Sequence, residues 1–139
     1  MLDVKMLRRQ HEEIYDVISE LKESIEAEGN LENRAFEIAQ KISLLAGKLK
    51  IHLGTEDRYM YPYILENGSD ELKKVAEGYV MEMGDISGKF SDYKNRFNTK
   101  SKIISDLKGF LSETAKILKM LEERMKKEDL NLYEILSSQ

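Results

Sequence analysis

The chain of 139 residues has no cysteine, no tryptophan, a single proline and only two histidines. Without cysteine it cannot form disulfides, thiolate nucleophiles, zinc fingers or cysteine-ligated iron–sulfur clusters. Its apolar stretches are too short to span a membrane, and it lacks the long basic run of a nucleic-acid surface. We therefore expect neither a membrane nor a nucleic acid as a partner. The first residues, Met1-Leu2-Asp3-Val4-Lys5, lack a hydrophobic signal region, which predicts a cytoplasmic protein.

Charged residues are abundant but balanced. They make up 35% of the chain, yet the formal net charge is only −4. Interspersed charges of both signs are typical of solvated helix surfaces. The length suits one domain that can bury a sizeable core, so we expect a single domain over residues 1–139.

Apolar residues recur at alternating steps of three and four, the period of an amphipathic helix, in four segments. The predicted helix starts are near Asp3, near Glu32, at Ser69 or Asp70, and at Thr99 or Ser101. Pro62 is expected to end or kink the second helix, and a shorter apolar tail, 130–136, follows the fourth. Since the connections are short, the fold class predicted is all-α, an antiparallel up-and-down four-helix bundle.

The two halves of the chain match at an offset of 72 residues. The more specific part of the match is a Glu-Asp-x-x-x-Tyr pattern, which occurs at 56–61 and again at 128–133. The match predicts two helix pairs related by an approximate internal two-fold repeat. In this repeat, Met83 is equivalent to His11 and Arg124 is equivalent to His52, so the second half lacks the histidines of the first.

Both histidines lie on the apolar stripes of predicted helices, and His52 is followed by Glu56 four residues later. Side chains four residues apart share one face of a helix. A buried histidine needs a partner for each ring nitrogen. His11, His52 and Glu56 are therefore interpreted as either a hydrogen-bonded polar layer or part of a metal site.

These motifs resemble the hemerythrin family, also called the HHE cation-binding domain. The resemblance rests on Gln10-His11-Glu12-Glu13-Ile14, His52-Leu-Gly-Thr-Glu56-Asp57, Glu82-Met83 where the family has Glu-His, and Arg124-Met-Lys-Lys-Glu128-Asp129 where the family has His-x-x-x-Glu or His-x-x-x-x-Asp. In that family five histidines cap two iron ions that two carboxylates bridge. The resemblance implies that His11 and His52 match the two-histidine iron, and that Glu56 and either Glu128 or Asp129 match the bridging carboxylates.

The three-histidine side of such a centre is missing. Met83 and Arg124 replace two of its three histidine ligands. Ser87, four residues after Met83, occupies the position of the third. A thioether and a hydroxyl are poor substitutes for imidazole, and a guanidinium cannot coordinate a metal. This departure argues against a di-iron centre and against reversible oxygen binding.

Two versions of the polar layer stay open. In the leading one, Arg124 pairs with Glu56, Glu128 or both, and this ion pair replaces one metal or both. In the other, His11, His52, Glu56 and Glu128 bind one divalent iron, zinc or manganese ion, with Asp129 as the substitute for Glu128.

The first version predicts a non-catalytic binding or regulatory module without a cofactor. The second predicts a mononuclear metal protein that senses or handles iron or oxygen, and it alone leaves room for an enzyme. A protein partner is left open. Gly78, Gly84 and Gly88 on the third helix would permit a close helix contact, so a homodimer is left open as well.

Overall fold

The computed structural model describes residues 3–137, and all regular structure within that range is helical. In chain order the elements are α1 (Val4–Glu26), a 3₁₀ turn (Leu31–Arg34), α2 (Ala35–Thr55), a first π-helical segment (Glu56–Met60), α3 (Tyr61–Asn67), α4 (Asp70–Phe97), α5 (Lys100–Ser105), α6 (Leu107–Lys127), a second π-helical segment (Glu128–Leu132) and α7 (Tyr133–Ser137). The prediction of an all-helical fold is confirmed. No helix in the described range has both the length and the apolar character needed to cross a membrane.

Three helix starts lie where the capping residues predicted them. The side chains of Asp3, Ser69 and Thr99 each accept a hydrogen bond from the backbone N–H three residues later, at 3.1–3.2 Å. Each bond satisfies one of the N–H groups that the first turn of a helix leaves without a partner. These caps set where α1, α4 and α5 begin.

The fourth predicted helix is broken. Asp106 separates α5 from α6, and its side chain accepts a hydrogen bond from the Gly109 N–H at 3.0 Å. The same carboxylate forms an ion pair with Arg96 at 2.8 Å. The apolar spacing continues across the break, which explains why periodicity predicted one uninterrupted helix.

The two π-helical segments were not predicted. In each, the N–H of a tyrosine bonds to the C=O of the glutamate five residues earlier, Tyr61 to Glu56 and Tyr133 to Glu128. Pro62 lies in the first turn of α3, where a missing N–H has little cost. In the second predicted helix, the change of helix geometry therefore starts at Glu56 and not at Pro62.

Two apolar clusters form the core, and a polar layer lies between them. On α1, His11 stands between Leu7 of the smaller cluster and Ile14 of the larger one. Met83 belongs to the larger cluster, and Tyr79, one turn earlier on α4, belongs to the smaller. The polar layer is thus closed off from solvent by hydrophobic side chains on both sides.

Candidate metal centre

Four of the predicted site residues meet in the polar layer. His11 projects from α1, His52 from the last turn of α2, and Glu56 and Glu128 from the first residues of the two π-helical segments. All four side chains are at most 1% exposed. The ligand atoms of His11, His52 and Glu128 lie within 4.8 Å of one another, close enough to share one ion. Asp129, the alternative to Glu128, is not part of this group and instead contacts the opposite side of the His11 ring.

The outward-facing nitrogen of each histidine has a hydrogen-bond acceptor. His11 Nδ1 lies 2.9 Å from Asp129 Oδ1, and His52 Nδ1 lies 2.9 Å from Gln10 Oε1. The Gln10 amide is oriented by Thr55, whose hydroxyl donates to a backbone carbonyl and accepts from Gln10 Nε2 at 3.0 Å. Both Nδ1 atoms therefore carry the proton, which leaves the Nε2 atoms as lone-pair donors.

The two Nε2 atoms face each other at 2.9 Å. Two lone pairs at this distance repel unless a cation or a proton lies between them. Burial, together with the nearby His11, lowers the pKa of His52 to about 3, so His52 is neutral at physiological pH. The geometry directs the Nε2 atoms of both imidazoles to one point, as metal sites do.

The carboxylates of the layer are short of hydrogen-bond partners. Glu56 Oε1 and both carboxylate oxygens of Glu128 are buried with no hydrogen bond. Glu56 Oε1 lies 3.4 Å from His52 Nε2, and Glu128 Oε1 lies 3.5 Å from His11 Nε2. Burial raises the pKa of both glutamates, and the Glu128 charge raises that of Glu56 further. Buried acceptors without donors are costly, and a cation would compensate them.

Tyr133 completes the layer. Its hydroxyl donates to Glu56 Oε2 at 2.9 Å and lies 3.2 Å from His11 Nε2 and 3.4 Å from His52 Nε2. Burial raises its pKa above the ordinary range, and the charges of Glu56 and Glu128 raise it further. The neutral phenol therefore holds one oxygen of Glu56 in place.

These residues fit a metal ion. The donor set combines two imidazole lone pairs with carboxylate oxygens, which suits iron, zinc and manganese. The carboxylate oxygens of Glu56 and Glu128 that lack hydrogen bonds are the ones available to bind the ion. The hydrogen bonds on the far side of each histidine match the outer contacts that orient metal ligands.

The comparisons with known proteins agree with this chemistry. The family model described as "Hemerythrin HHE cation binding domain" matches residues 2–136. The chain belongs to the hemerythrin HHE family. Comparison with curated proteins and with solved structures found no match. The family resemblance predicted from the motifs is thereby confirmed over nearly the whole chain.

In this HHE domain the three positions at which the resemblance led us to expect histidines have different surroundings. Met83 is buried in the larger apolar cluster, and Ser87 is half-buried. Arg124 is buried, as predicted, but its partner is different. It forms its ion pair with Glu82 and lies 3.9 Å above the ring of Tyr79. The predicted pairing with Glu56 or Glu128 is thus replaced by one with a residue at the edge of the layer.

The physical reason for the different pairing is desolvation. Glu82 is 53% exposed, so the pair forms without burying a second full charge. The aromatic face of Tyr79 stabilises the guanidinium further. Arg124 still lies close enough to Glu128 to oppose the increase of its pKa. It does so without a hydrogen bond, and Nε and Nη2 of Arg124 have no hydrogen-bond partner.

Replacing Arg124 with alanine should lower the free energy of unfolding by about 2 kcal/mol, because it removes the contact with Tyr79 and the packing of the side-chain stem. Metal affinity should rise in the same variant, because a permanent cation near the centre is gone. Chemical denaturation and competitive chelator titration measure the two effects. The Arg124→Met variant keeps the volume and should show the affinity gain alone. Loss of metal binding in Arg124→Met would contradict our assignment.

Three contributors to the centre were missed from the sequence. Tyr133 stands five residues after Glu128, a spacing that leaves one face of a regular α-helix but returns to it across a π-helical turn. Gln10 adjoins His11 within the family motif, and its sequence position alone gives no sign that it contacts His52. Glu82 adjoins Met83 and carries the only acidic charge that Arg124 contacts as an ion pair in residues 3–137.

Proposed function

We propose that this HHE domain binds one divalent transition-metal ion and acts as a non-catalytic regulatory or sensing module. The observation that carries the proposal is the convergence of two facing Nε2 atoms, 2.9 Å apart, on buried carboxylate oxygens without hydrogen bonds. One cation at this point would end the lone-pair repulsion and compensate the carboxylates together. A proton between the histidines would remove the lone-pair repulsion but would leave the carboxylate oxygens without partners.

His11, His52 and Glu128 would hold the ion, and Glu56 would add a fourth ligand through Oε1. The set suits Fe(II), Zn(II) or Mn(II), and the metal would supply Lewis acidity or, if iron, a redox couple. The protein's own contributions are visible in the hydrogen bonds. Asp129 and Gln10 keep the rings in the ligating tautomer, and burial excludes bulk water.

A second metal lacks ligands in this proposal. Met83 and Ser87 offer a thioether and a hydroxyl, and Arg124 brings a positive charge into that half of the layer. Within residues 3–137, the group of three or more converging metal-binding side chains is the one formed by His11, His52 and Glu128. We infer that the di-iron centre of the family is reduced here to one site.

The regulatory role follows from the elements that the metal would join. Its ligands come from three separate parts of the chain: α1, the end of α2 with the π-helical segment that directly follows it, and the second π-helical segment. Metal binding would tie these segments together and metal loss would loosen them, which changes the surface that a protein partner meets. A binding event that alters several helices at once suits a sensor.

The up-and-down order and the two-fold repeat belong to the same proposal. Along α1 and α2, contacts run in opposite directions, from Gln10 with Thr55 to Ser24 with Lys41. The two π-helical segments begin at equivalent positions of the two halves, 56 and 128. Both observations support two similar helix pairs, of which one has kept its metal ligands.

The test is the metal content per chain of untagged protein, measured by elemental mass spectrometry after expression in medium supplemented with iron, zinc and manganese. We expect a value near one, recovered after chelation by anaerobic Fe(II) reconstitution. A value near zero after reconstitution would leave the polar layer as a hydrogen-bond network without metal. A value near two would show that the Met83 and Arg124 half still binds an ion.

A further inference from the structure

The outer face of α2 is uncharged, yet it is exposed to solvent. Its exposed residues recur at steps of three and four, so they share one side of the helix. Its large apolar side chains are 48–64% exposed. The outer side of α1, by contrast, is charged and carries Glu12, Asp16 and Glu20. We define the α2 face by six residues: Phe36, Gln40, Leu44, Gly47, Ile51 and Gly54.

This face lies on the side of α2 opposite the core. Ile38, Ile42, Leu45 and Leu49 of the same helix are buried, so α2 is apolar both toward the core and away from it. A surface helix ordinarily carries charged residues on its outer side, and a helix that is apolar all round is normally covered on all sides. Contiguous exposed apolar surface marks an interaction site. The α2 face therefore indicates a contact with another protein chain.

The α2 face is centred on Gly47. Phe36 precedes Gly47 by eleven residues, and Arg58 follows it by eleven. A Cβ at Gly47 would meet no heavy atom within 4 Å, so the centre of the face is open and a second helix backbone can approach it closely. In two antiparallel copies of the face, larger side chains lie level with small ones: Gln40 with Gly54 and Ile51 with Ser43.

The two ends of the α2 face carry opposite charges. Glu37 adjoins Phe36 at one end, and its side chain is 59% exposed. Arg58 is exposed at the other end, where it contacts the ring of Tyr59 at 6.0 Å and forms no ion pair within residues 3–137. The antiparallel alignment brings Arg58 of one copy level with Phe36 of the other and next to its Glu37. Two-fold symmetry forms this ion pair twice.

A groove beside the first half of α2 supplies a second pair of opposite charges. Phe36 and Gln40 line it together with Lys100 of α5, and no acidic residue does. Asp57 is exposed and forms no ion pair within the described part of the chain. It follows Gly47 by ten residues, so it stands level with residue 37 of an antiparallel copy, beside this groove. Charge complementarity thus recurs at an independent place.

We propose that the α2 face binds a second copy of this chain, with the two α2 helices antiparallel about a two-fold axis at Gly47. A parallel arrangement would place each charge beside its own copy, so the charges select the antiparallel one. From Phe36 to Gly54 the contact spans about 27 Å, at about 1.5 Å per residue. The homodimer that the sequence left open at the glycines of α4 is thereby placed on α2, and it needs no metal.

Sedimentation equilibrium of the full chain, from about 1 to about 200 μM, measures the dimer. One helix from each copy makes a small interface, so we expect dimers at the upper end of this range and monomers at the lower. Ile51→Asp puts a charge into the contact and should raise the Kd by about a hundredfold or more. Met81→Asp is the matched control, because Met81 is an apolar residue of α4 that is 77% exposed. It should keep the wild-type Kd, and circular dichroism checks that both variants are folded.

A charge reversal tests the antiparallel arrangement. Arg58→Glu sets like charges against each other and should raise the Kd by about tenfold. Adding Glu37→Arg to it reverses both partners and should return the Kd to within about threefold of the wild type. Failure of this rescue would overturn the antiparallel arrangement.

Two other outcomes would overturn the α2 contact itself. A chain that stays monomeric over the whole range would leave the α2 face to a partner other than a second copy. A dimer that Met81→Asp dissociates and Ile51→Asp does not would lie on α4 instead.

Discussion

His11→Ala protein should contain no stoichiometric metal and should show no change in melting temperature when metal is added. His11 provides one of the two Nε2 atoms that face each other at 2.9 Å, and its ring is held by Asp129 from behind. With metal at about a hundred times the Kd, the wild type should gain about 2.7 kcal/mol of unfolding free energy. For a domain of this size that gain raises Tm by roughly 8 °C.

The measurement is differential scanning calorimetry with and without metal, beside elemental analysis of both proteins. Glu12→Ala is the matched control, since Glu12 adjoins His11 on α1 but is exposed. It should keep both the metal and the increase in Tm. A metal-dependent Tm increase that survives in His11→Ala would place the ion elsewhere in the chain.

Glu128→Leu should separate function from stability. Both carboxylate oxygens of Glu128 are buried without a hydrogen bond, so replacing the side chain with an apolar one removes a desolvation cost. We expect the metal-free variant to be about 1–3 kcal/mol more stable than the metal-free wild type at pH 8. Metal binding should be lost in the same protein. Urea denaturation and metal analysis measure the two effects.

The pH dependence of the unfolding free energy tests whether the buried charge of Glu128 causes the expected difference in stability. Burial raises the pKa of Glu128 and Glu56 in the folded protein above the ordinary value of 4.5. Their contribution to stability is complete below that value and is lost as the pH rises through the folded-state pKa. The metal-free wild type should therefore lose stability as the pH rises from 4.5 through the raised folded-state pKa of the two glutamates. Well above pH 6.5 His52 is neutral in both states and does not offset that loss. The slope should be smaller in Glu128→Leu.

Glu128→Gln serves as the control because it keeps the shape of the side chain and removes the charge. It should reduce the pH dependence in the same way and should also lose the metal. If Glu128→Leu were less stable than the wild type in the absence of metal, Glu128 would instead be a structural partner of Arg124, and the leading interpretation of the sequence would regain its support.

Much of the fold was predictable because it depends on local chemistry. The three- and four-residue spacing of apolar side chains predicted helices, and capping by Asp3, Ser69 and Thr99 predicted where three of them start. The break at Asp106 could not be found from periodicity, because the apolar stripe continues through it. The hydrogen bond from the Gly109 N–H to the Asp106 side chain, which caps α6, is seen only in the structure.

The π-helical segments show a different limit. Their extra residue per turn changes which side chains face the core after Glu56 and Glu128. In a regular α-helix a residue five positions after Glu128 lies off the face of that glutamate, yet the Tyr133 hydroxyl lies within 3.4 Å of three polar groups of the centre. The repeated Glu-Asp-x-x-x-Tyr pattern is the sequence feature that coincides with the two π-helical segments.

The sequence by itself determined the family, the helical class and the depth of His11 and His52, because residue type and helical spacing carry that information. Only the tertiary structure decided the partners. It turned Glu128 toward the histidines and Asp129 behind His11, and it paired Arg124 with Glu82 at the edge of the layer. Those choices depend on distances between helices and on the cost of burying charge, and neither quantity is encoded in spacing along one helix.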